Sequence, residues 1–293
     1  MINLKNDYGI DTFGVIPLSE CTVTKPYLLD RAGLPSDGRG SVLLFLLPYY
    51  TSGGEGGNVS MYSVAEDYHR YCTELFADLC PQLKKINPNA KFAGFADHSP
   101  IIEVEAAAKA GLGVRGENGL LISRAYSSFV FIGGVCSDMN ADEWTHIVSG
   151  VEMRRDYTPE RCPGCGKCRS SCPAGAIGGN GHIDRERCLS AVTQKKRLSA
   201  ADETAVAGAE YVWGCDICQL VCPLTEAARR AGTLETPLSY FRRKLIKTLD
   251  EKTLAELHEK GEFDRRAFAW RGEAVVERNL QLREKRNEHD DGH

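Results

Sequence analysis

Residues 162–173 read CPGCGKCRSSCP and residues 215–223 read CDICQLVCP, and these stretches decide what the second half of the chain must be. The first is C-x2-C-x2-C-x3-C-P, the run whose first three thiolates hold one 4Fe-4S cluster while the fourth serves another. The second is C-x2-C-x3-C-P, with Val212 standing where its first cysteine belongs. Cys188, in the segment between, is the replacement. One cluster then takes Cys162, Cys165, Cys168 and Cys222, and the other takes Cys172, Cys188, Cys215 and Cys218. Paired C-x2-C motifs also build all-cysteine zinc sites. The two C-x3-C-P endings and the total of eight disfavour zinc. Two clusters in one ferredoxin-like domain imply one-electron relay.

Outside this region the chain is ordinary in composition. It has 293 residues, 42% hydrophobic, so it buries a core without needing disulfides. Of its 12 cysteines the remaining four, Cys21, Cys72, Cys80 and Cys136, are scattered and read as small buried hydrophobes. No 18-residue apolar run and no signal-peptide core occur, so a cytoplasmic protein without membrane association is expected. Clustered cysteines in a reducing compartment mean metal or redox work. Charge is uneven: residues 1–150 hold 11 basic and 17 acidic residues, residues 151–228 ten of each, and the remainder 15 and 13. A net charge of −4 gives no whole-protein footprint for nucleic acid. A polyanion must meet a local patch, and the candidates are Arg154-Arg155, Lys195-Lys196-Arg197 and Arg242-Arg243-Lys244.

The fold class expected is α+β. A mixed α/β sandwich domain (1–153) is followed by a ferredoxin-like double 4Fe-4S domain (154–228) and a short helical C-terminal segment (229–293). Apolar runs at 41–47, 91–96 and 128–135 read as buried strands. Val64, Tyr68, Cys72, Leu75 and Leu79 recur at helical spacing and predict a helix over 61–83. A strand ends at Asp97, after which Ser99 and Pro100 suit the N-cap and first position of an Ala-rich helix that Gly111 closes. Asp97 thus stands where functional carboxylates often stand, although a turn aspartate serving the backbone fits the same position. Gly111, Gly113 and Gly116 spell G-x-G-x-x-G, but they close a helix and lead into a strand at 120–122. A dinucleotide fingerprint requires the opposite order, so these glycines are read as places of close backbone approach. The glycines of 52–57 read as a loop with no phosphate-loop lysine after them.

Several segments together resemble the epoxyqueuosine reductase family, cobalamin- and 4Fe-4S-dependent enzymes that complete queuosine in tRNA and are related to reductive dehalogenases. Asp97-His98-Ser99-Pro100 with Glu103 resembles the family's D-S/T-A-P-x-x-E. Residues 110–116 resemble its A-G-L-G-W-x-G-K, Asp67-Tyr68-His69 its R-D-Y-H, and residues 214–223 its second cluster motif almost letter for letter. Arg271-Gly272 to Arg278-Asn279 is similar to the segment closing the family core. The resemblance runs from about residue 12 to 282.

The resemblance implies a cobalamin between the α/β domain and the ferredoxin-like domain. It makes Asp97 the proton donor and assigns cofactor contacts to Ser60, Leu121, Ile132, Thr193 through Lys196, Asp216 and Ile217. Electrons from an external donor such as ferredoxin or flavodoxin would pass through the clusters to the cobalamin. The epoxide would then be reduced, and water would leave. A monomer is expected. There are also departures. Glu66 ends a stretch that has lost the family's arginines, Glu117 replaces a lysine, Val104 an arginine and His98 a small residue. The chain is expected to be a short form without C-terminal helical repeats, ending in a disordered polar tail, 283–293. Each departure removes positive charge or tRNA-facing surface. A cobalamin-dependent reductase of another substrate, and a double-cluster electron-transfer protein without cobalamin, therefore stand beside the tRNA-modifying reading.

Overall fold

The computed structural model of the chain describes residues 1–149 and 162–290, with side chains through residue 284. Arg154, Arg155 and the expected domain boundary at 153 lie outside the described residues. The chain divides into two compact units. The first comprises Met1–Pro48, His69–Arg115 and Leu120–Pro163, and the second Tyr49–Tyr68, Gly116–Gly119 and Gly164–His293. The cluster region and the C-terminal segment, expected as separate domains, thus fall in one unit.

The first unit is built on a four-stranded antiparallel sheet ordered β1 (Phe13–Pro17), β2 (Ser41–Pro48), β6 (Val130–Ser137), β3 (Phe92–Ala96). Strand β2 is buried along its whole length. Its sequence, SVLLFLLP, does not alternate, because helices cover both faces. On one face Val42, Leu44 and Leu46 pack with Ala106 and Ala107 of α4 (Glu103–Lys109). On the other, Phe45 meets Phe76 of α3 (Tyr68–Ile86), ring centroids 6.1 Å apart. Gly133 pairs with Phe45 in register, and a Cβ there would lie 2.5 Å from that ring, so the glycine admits the aromatic. Two short helices, α1 (Leu4–Tyr8) and α2 (Pro26–Arg31), and a small hairpin of β4 (Val114–Arg115) and β5 (Leu121–Ile122) complete the unit.

Two local expectations shift. The helix expected over 61–83 begins at Tyr68, with only a 3-10 turn at Met61–Ser63 before it. The intervening backbone is committed elsewhere in the second unit: Ile246 N–H donates to Val64 C=O, and Glu66 bridges Arg266. The helix after Asp97 starts at Glu103 with Ile102 as N-cap, so Ser99 and Pro100 precede it. Here Thr24 and Lys25 donate to Pro100 C=O, and Ile102 donates to Thr22 C=O, which keeps 100–102 extended. Gly111 closes α4 at φ 80°, as its sequence position implies.

The second unit contains the hairpin β7 (Ile177–Gly179) and β8 (His182–Ile183) among short helices. These are α5 (Lys167–Ser170), α6 (Leu189–Val192), α7 (Ala200–Ala207), α8 (Ile217–Leu220) and α9 (Pro223–Arg230). After them come α10 (Glu251–Glu259) and α11 (Glu273–Asp290). The two C-x3-C-P endings fold alike. Cys172 N–H donates to Arg169 C=O and Cys222 N–H to Gln219 C=O, each at 3.3 Å, so the sequence half-repeat is a structural one. The segment 49–68 joins this unit through its backbone: Ser60 donates to Trp213 C=O, and Val212 donates to Asn58 C=O. The tail expected to be disordered continues α11 as helix to Asp290. No helix among the described residues is long and apolar enough to cross a membrane.

Candidate functional site

In the first unit Asp97 follows β3 in a tight turn. Its φ is +61°, and His98 N–H reaches back to Ala96 C=O at 2.7 Å. A three-residue turn with positive φ at a non-glycine residue is strained and persists only where its surroundings hold it. Here the Asp97 N–H donates to the Glu103 carboxylate at 3.1 Å. The Asp97 carboxylate is 70% exposed and lies 3.7 Å from His69 Nε2. Burial, and then the neighbouring Asp97 charge, push Glu103 up to about 7. Two carboxyl groups and an imidazole are therefore gathered at one turn, an arrangement able to pass a proton. His98, the residue departing from the family pattern, sits between Lys25 Nζ and Tyr27 OH, each at 3.4 Å.

In the second unit the eight-cysteine pattern resolves in part. Burial raises the Cys215 thiol to about 12, with further contributions from Cys188 and Cys172. Cys218 is raised by burial and by Cys215 and Cys188. The four thiols assigned to one cluster are thus electrostatic neighbours. No three or more His, Cys, Asp or Glu side chains among the described residues converge on a single-ion site. The 116–119 turn contributes Asn118, which bonds Cys218, and Glu117, which accepts from Asn180 N–H at 2.8 Å. Of the other half, Cys165 is exposed, and Cys168 and Cys222 are partly buried; Cys162 falls in the first unit. Cys21, Cys80 and Cys136 have thiol pKa values raised by burial, as packing residues should.

The remaining sequence-assigned contacts are of two kinds. Ser60, Thr193 and Asp216 are buried with their side chains engaged inside the second unit. Ser60 Oγ donates to Asp216 at 2.6 Å, joined there by Met61 N–H at 2.5 Å and Gln219 Nε2 at 2.9 Å. Thr193 Oγ1 accepts from Gly214 N–H at 3.0 Å. Leu121 belongs to the first unit's core. Ile132, in the first unit, and Ile217, in the second, are partly buried, and Lys196 of the second unit is exposed. Sequence reasoning passed over Trp270, whose Nε1–H donates to Gln194 Oε1 at 3.1 Å across 76 residues. Neither residue type nor spacing signals that contact.

The basic runs are partly spent. Lys244 lies by Glu66 and Glu262, and Lys195 by Glu186 and Asp202. Glu66 also pairs with Arg265. Lys196, Arg197, Arg242 and Arg243 remain outward.

Comparison with known proteins agrees with this anatomy. Residues 161–225 match the family described as a 4Fe-4S double cluster binding domain. An epoxyqueuosine reductase of Lactococcus garvieae is 30% identical over 226 residues, covering 76% of this chain and 60% of that protein. Among solved structures, the epoxyqueuosine reductase of Streptococcus thermophilus superposes with a TM-score of 0.71 at 21% identity, over 96% of this chain and 78% of that one. A second, of an epoxyqueuosine reductase with an epoxyqueuosine-modified tRNA stem loop, gives 0.70 at 21% identity, over 94% and 77%. The chain thus spans about three-fifths of the length of the curated relative it matches, and over that span it is similar to epoxyqueuosine reductases.

Proposed function

We propose that this chain is an iron–sulfur and cobalamin-dependent oxidoreductase that reduces epoxyqueuosine in tRNA to queuosine. The observation that carries the reading is the Asp97 turn, where a strained, exposed carboxylate is backed by Glu103 and faces His69. It occurs in a chain that also carries a double-cluster cysteine pattern. Removing an epoxide oxygen as water and leaving an alkene takes two electrons and two protons. In this reading Asp97 delivers a proton to the departing oxygen, and His69 and Glu103 replenish it. The similar protein solved with a modified tRNA stem loop supports the substrate class.

Cys162, Cys165, Cys168 and Cys222 would hold one cluster, and Cys172, Cys188, Cys215 and Cys218 the other, bringing in electrons from a ferredoxin or flavodoxin. Cobalamin, when bound, would supply a reducible cobalt centre for the two-electron reduction. Ile132, Ile217 and Lys196 would contact it directly. Leu121, Thr193, Ser60 and Asp216 would shape the backbone around it. The chain works as a cytoplasmic monomer in this reading.

The test is anaerobic reconstitution with iron, sulfide and cobalamin, a low-potential reductant, and an anticodon stem-loop bearing epoxyqueuosine. Conversion is expected as the loss of one oxygen from the base. Asp97→Asn should abolish it while leaving the corrin and cluster spectra unchanged. A second reading, reduction of a different epoxide or halide, is favoured by His98 with its Tyr27 and Lys25 contacts beside the acid. Corrin binding without conversion of the stem-loop would shift the assignment to it. Iron without corrin would leave an electron-transfer protein.

A further inference from the structure

The second unit carries an exposed aromatic platform that none of the steps above uses. Trp270 is 57% exposed, whereas the other tryptophans, Trp144 and Trp213, are fully buried. Leaving this much indole in water costs hydrophobic free energy, and here the ring is also held rigidly. Its Nε1–H donates to Gln194 Oε1 at 3.1 Å, and Gln194 is fixed in turn by Ser190 C=O at 2.6 Å and Tyr62 OH at 3.2 Å. The Arg271 guanidinium lies 3.6 Å from the indole centroid. Among the described residues Arg271 has no carboxylate partner, and its buried Nε–H has no acceptor. One face of the ring therefore carries a cation that has no carboxylate partner among the described residues. Two and three residues beyond Gln194 stand Lys196 and Arg197, both exposed. Arg278 steadies this stretch by donating to Lys195 C=O at 2.9 Å and Lys196 C=O at 3.2 Å.

A pinned, exposed indole edged by cations is what an unpaired nucleobase and its flanking phosphates require. Bases stack on aromatic faces whatever their identity, and phosphates meet the lysine and arginine charges. A protein partner would more often meet a larger apolar surface than one ring. We propose that Trp270, backed by Arg271, stacks an unpaired base of the RNA loop, with Arg197 on a neighbouring phosphate. This rests on the RNA reading above and names the surface that reads the loop.

Because Trp270 is the one exposed indole of the three, acrylamide quenching of the holoenzyme's tryptophan emission reports on it directly. An RNA hairpin with an unpaired loop should shield that emission, and a blunt duplex of equal length should not. Trp270→Ala should weaken hairpin binding about ten-fold or more, while Trp270→Phe, which keeps a stacking face, should retain most of it. Arg197→Ala should lower the salt dependence of binding instead. Hairpin binding with unchanged acrylamide access, or with unchanged affinity in Trp270→Ala, would overturn the proposal and leave the RNA reading standing. Shielding by cobalamin alone would also overturn it and assign the indole to the cofactor. Absence of any RNA binding would remove both.

Discussion

The Asp97 N–H donates to the Glu103 carboxylate at 3.1 Å, so the two acids of the D-x-x-P-x-x-E stretch form one unit rather than two neighbours. The bond reaches from the turn after β3 to the first residue of α4, and it holds Asp97 at a positive φ that its side chain would not otherwise favour. Burial keeps Glu103 protonated to higher pH, the Asp97 charge adds to this, and the Asp97 N–H and Lys25 oppose it.

This makes a prediction about stability and pH. Glu103 is raised from 4.5 to about 7 in the folded chain, so its protonated form favours folding. That contribution is complete below about pH 4.5 and is lost as pH rises through 7. Glu103→Gln keeps an oxygen to accept from Asp97 N–H and carries no charge. The variant should match the native chain at pH 4.5 and exceed it by about 1–2 kcal/mol at pH 8, after allowance for partial solvent screening. Urea midpoints at the two pH values measure this. An equal difference at both would show that Glu103 does not titrate in this range.

A second prediction concerns the buried Asp216 carboxylate, which accepts from Ser60 Oγ, Met61 N–H and Gln219 Nε2. The network joins the 49–68 segment to the loop between Cys215 and Cys218. Asp216→Ala strands three buried donors and should cost about 3 kcal/mol. Ser60→Ala removes only one donor and should cost about 1 kcal/mol. Denaturant titration of the reconstituted chain checks the order. A larger loss for Ser60 than for Asp216 would contradict it.

How much of this was legible in the sequence follows from the range of each interaction. Strands β2, β3 and β6 declared themselves because both faces of the sheet are covered and their apolar runs are unbroken. The half-repeat of C-x3-C-P announced a pair of equivalent turns, and both fold alike. The strand end before Asp97 was legible, since β3 runs to Ala96. What stayed hidden depends on distant partners. Residues 61–67 carry helical spacing, yet their backbone bonds to Ile246 and Arg265, nearly two hundred residues away. Ser99-Pro100 reads as a helix start, but Thr24 and Lys25 claim the Pro100 carbonyl first. Ser60 and Asp216 were singled out for a cofactor by resemblance, and only coordinates reveal that their side chains bind each other. Pairings of this kind leave no periodicity to read.

Gly214, just before Cys215, should tolerate no side chain. Its φ is +73°, and a Cβ built on it would lie 2.3 Å from Ser60 Cβ, while its N–H is held by Thr193. Ser60 cannot yield, because its hydroxyl is fixed on Asp216. Gly214→Ala therefore combines left-handed strain with a clash and should destabilise by about 2–4 kcal/mol. Iron retention should fall with it, since the backbone entering Cys215 must move. A variant with native melting and native iron would refute the account.

The division of eight cysteines into two sets is tested most directly by iron counting. If Cys172, Cys188, Cys215 and Cys218 serve one cluster, Cys188→Ala should reduce iron from about eight to about four per chain and leave one cluster's electron paramagnetic signal intact. Cys222→Ala should do the same with the other signal remaining, because Cys222 belongs to the opposite set although it follows Cys218 by only four residues. The double variant should lose both. Cys72→Ala should retain all the iron, since that thiol packs on the buried stripe of α3 with Leu75 and Leu79. The discriminating comparison is between Cys188→Ala and Cys222→Ala. If both abolish the same signal and spare the same one, the crossed assignment is wrong and each motif serves its own cluster. If the surviving signals differ, Cys188 stands in for the cysteine missing at Val212. The electrostatic neighbourhood of Cys188, Cys215 and Cys172 is then that of a cluster site.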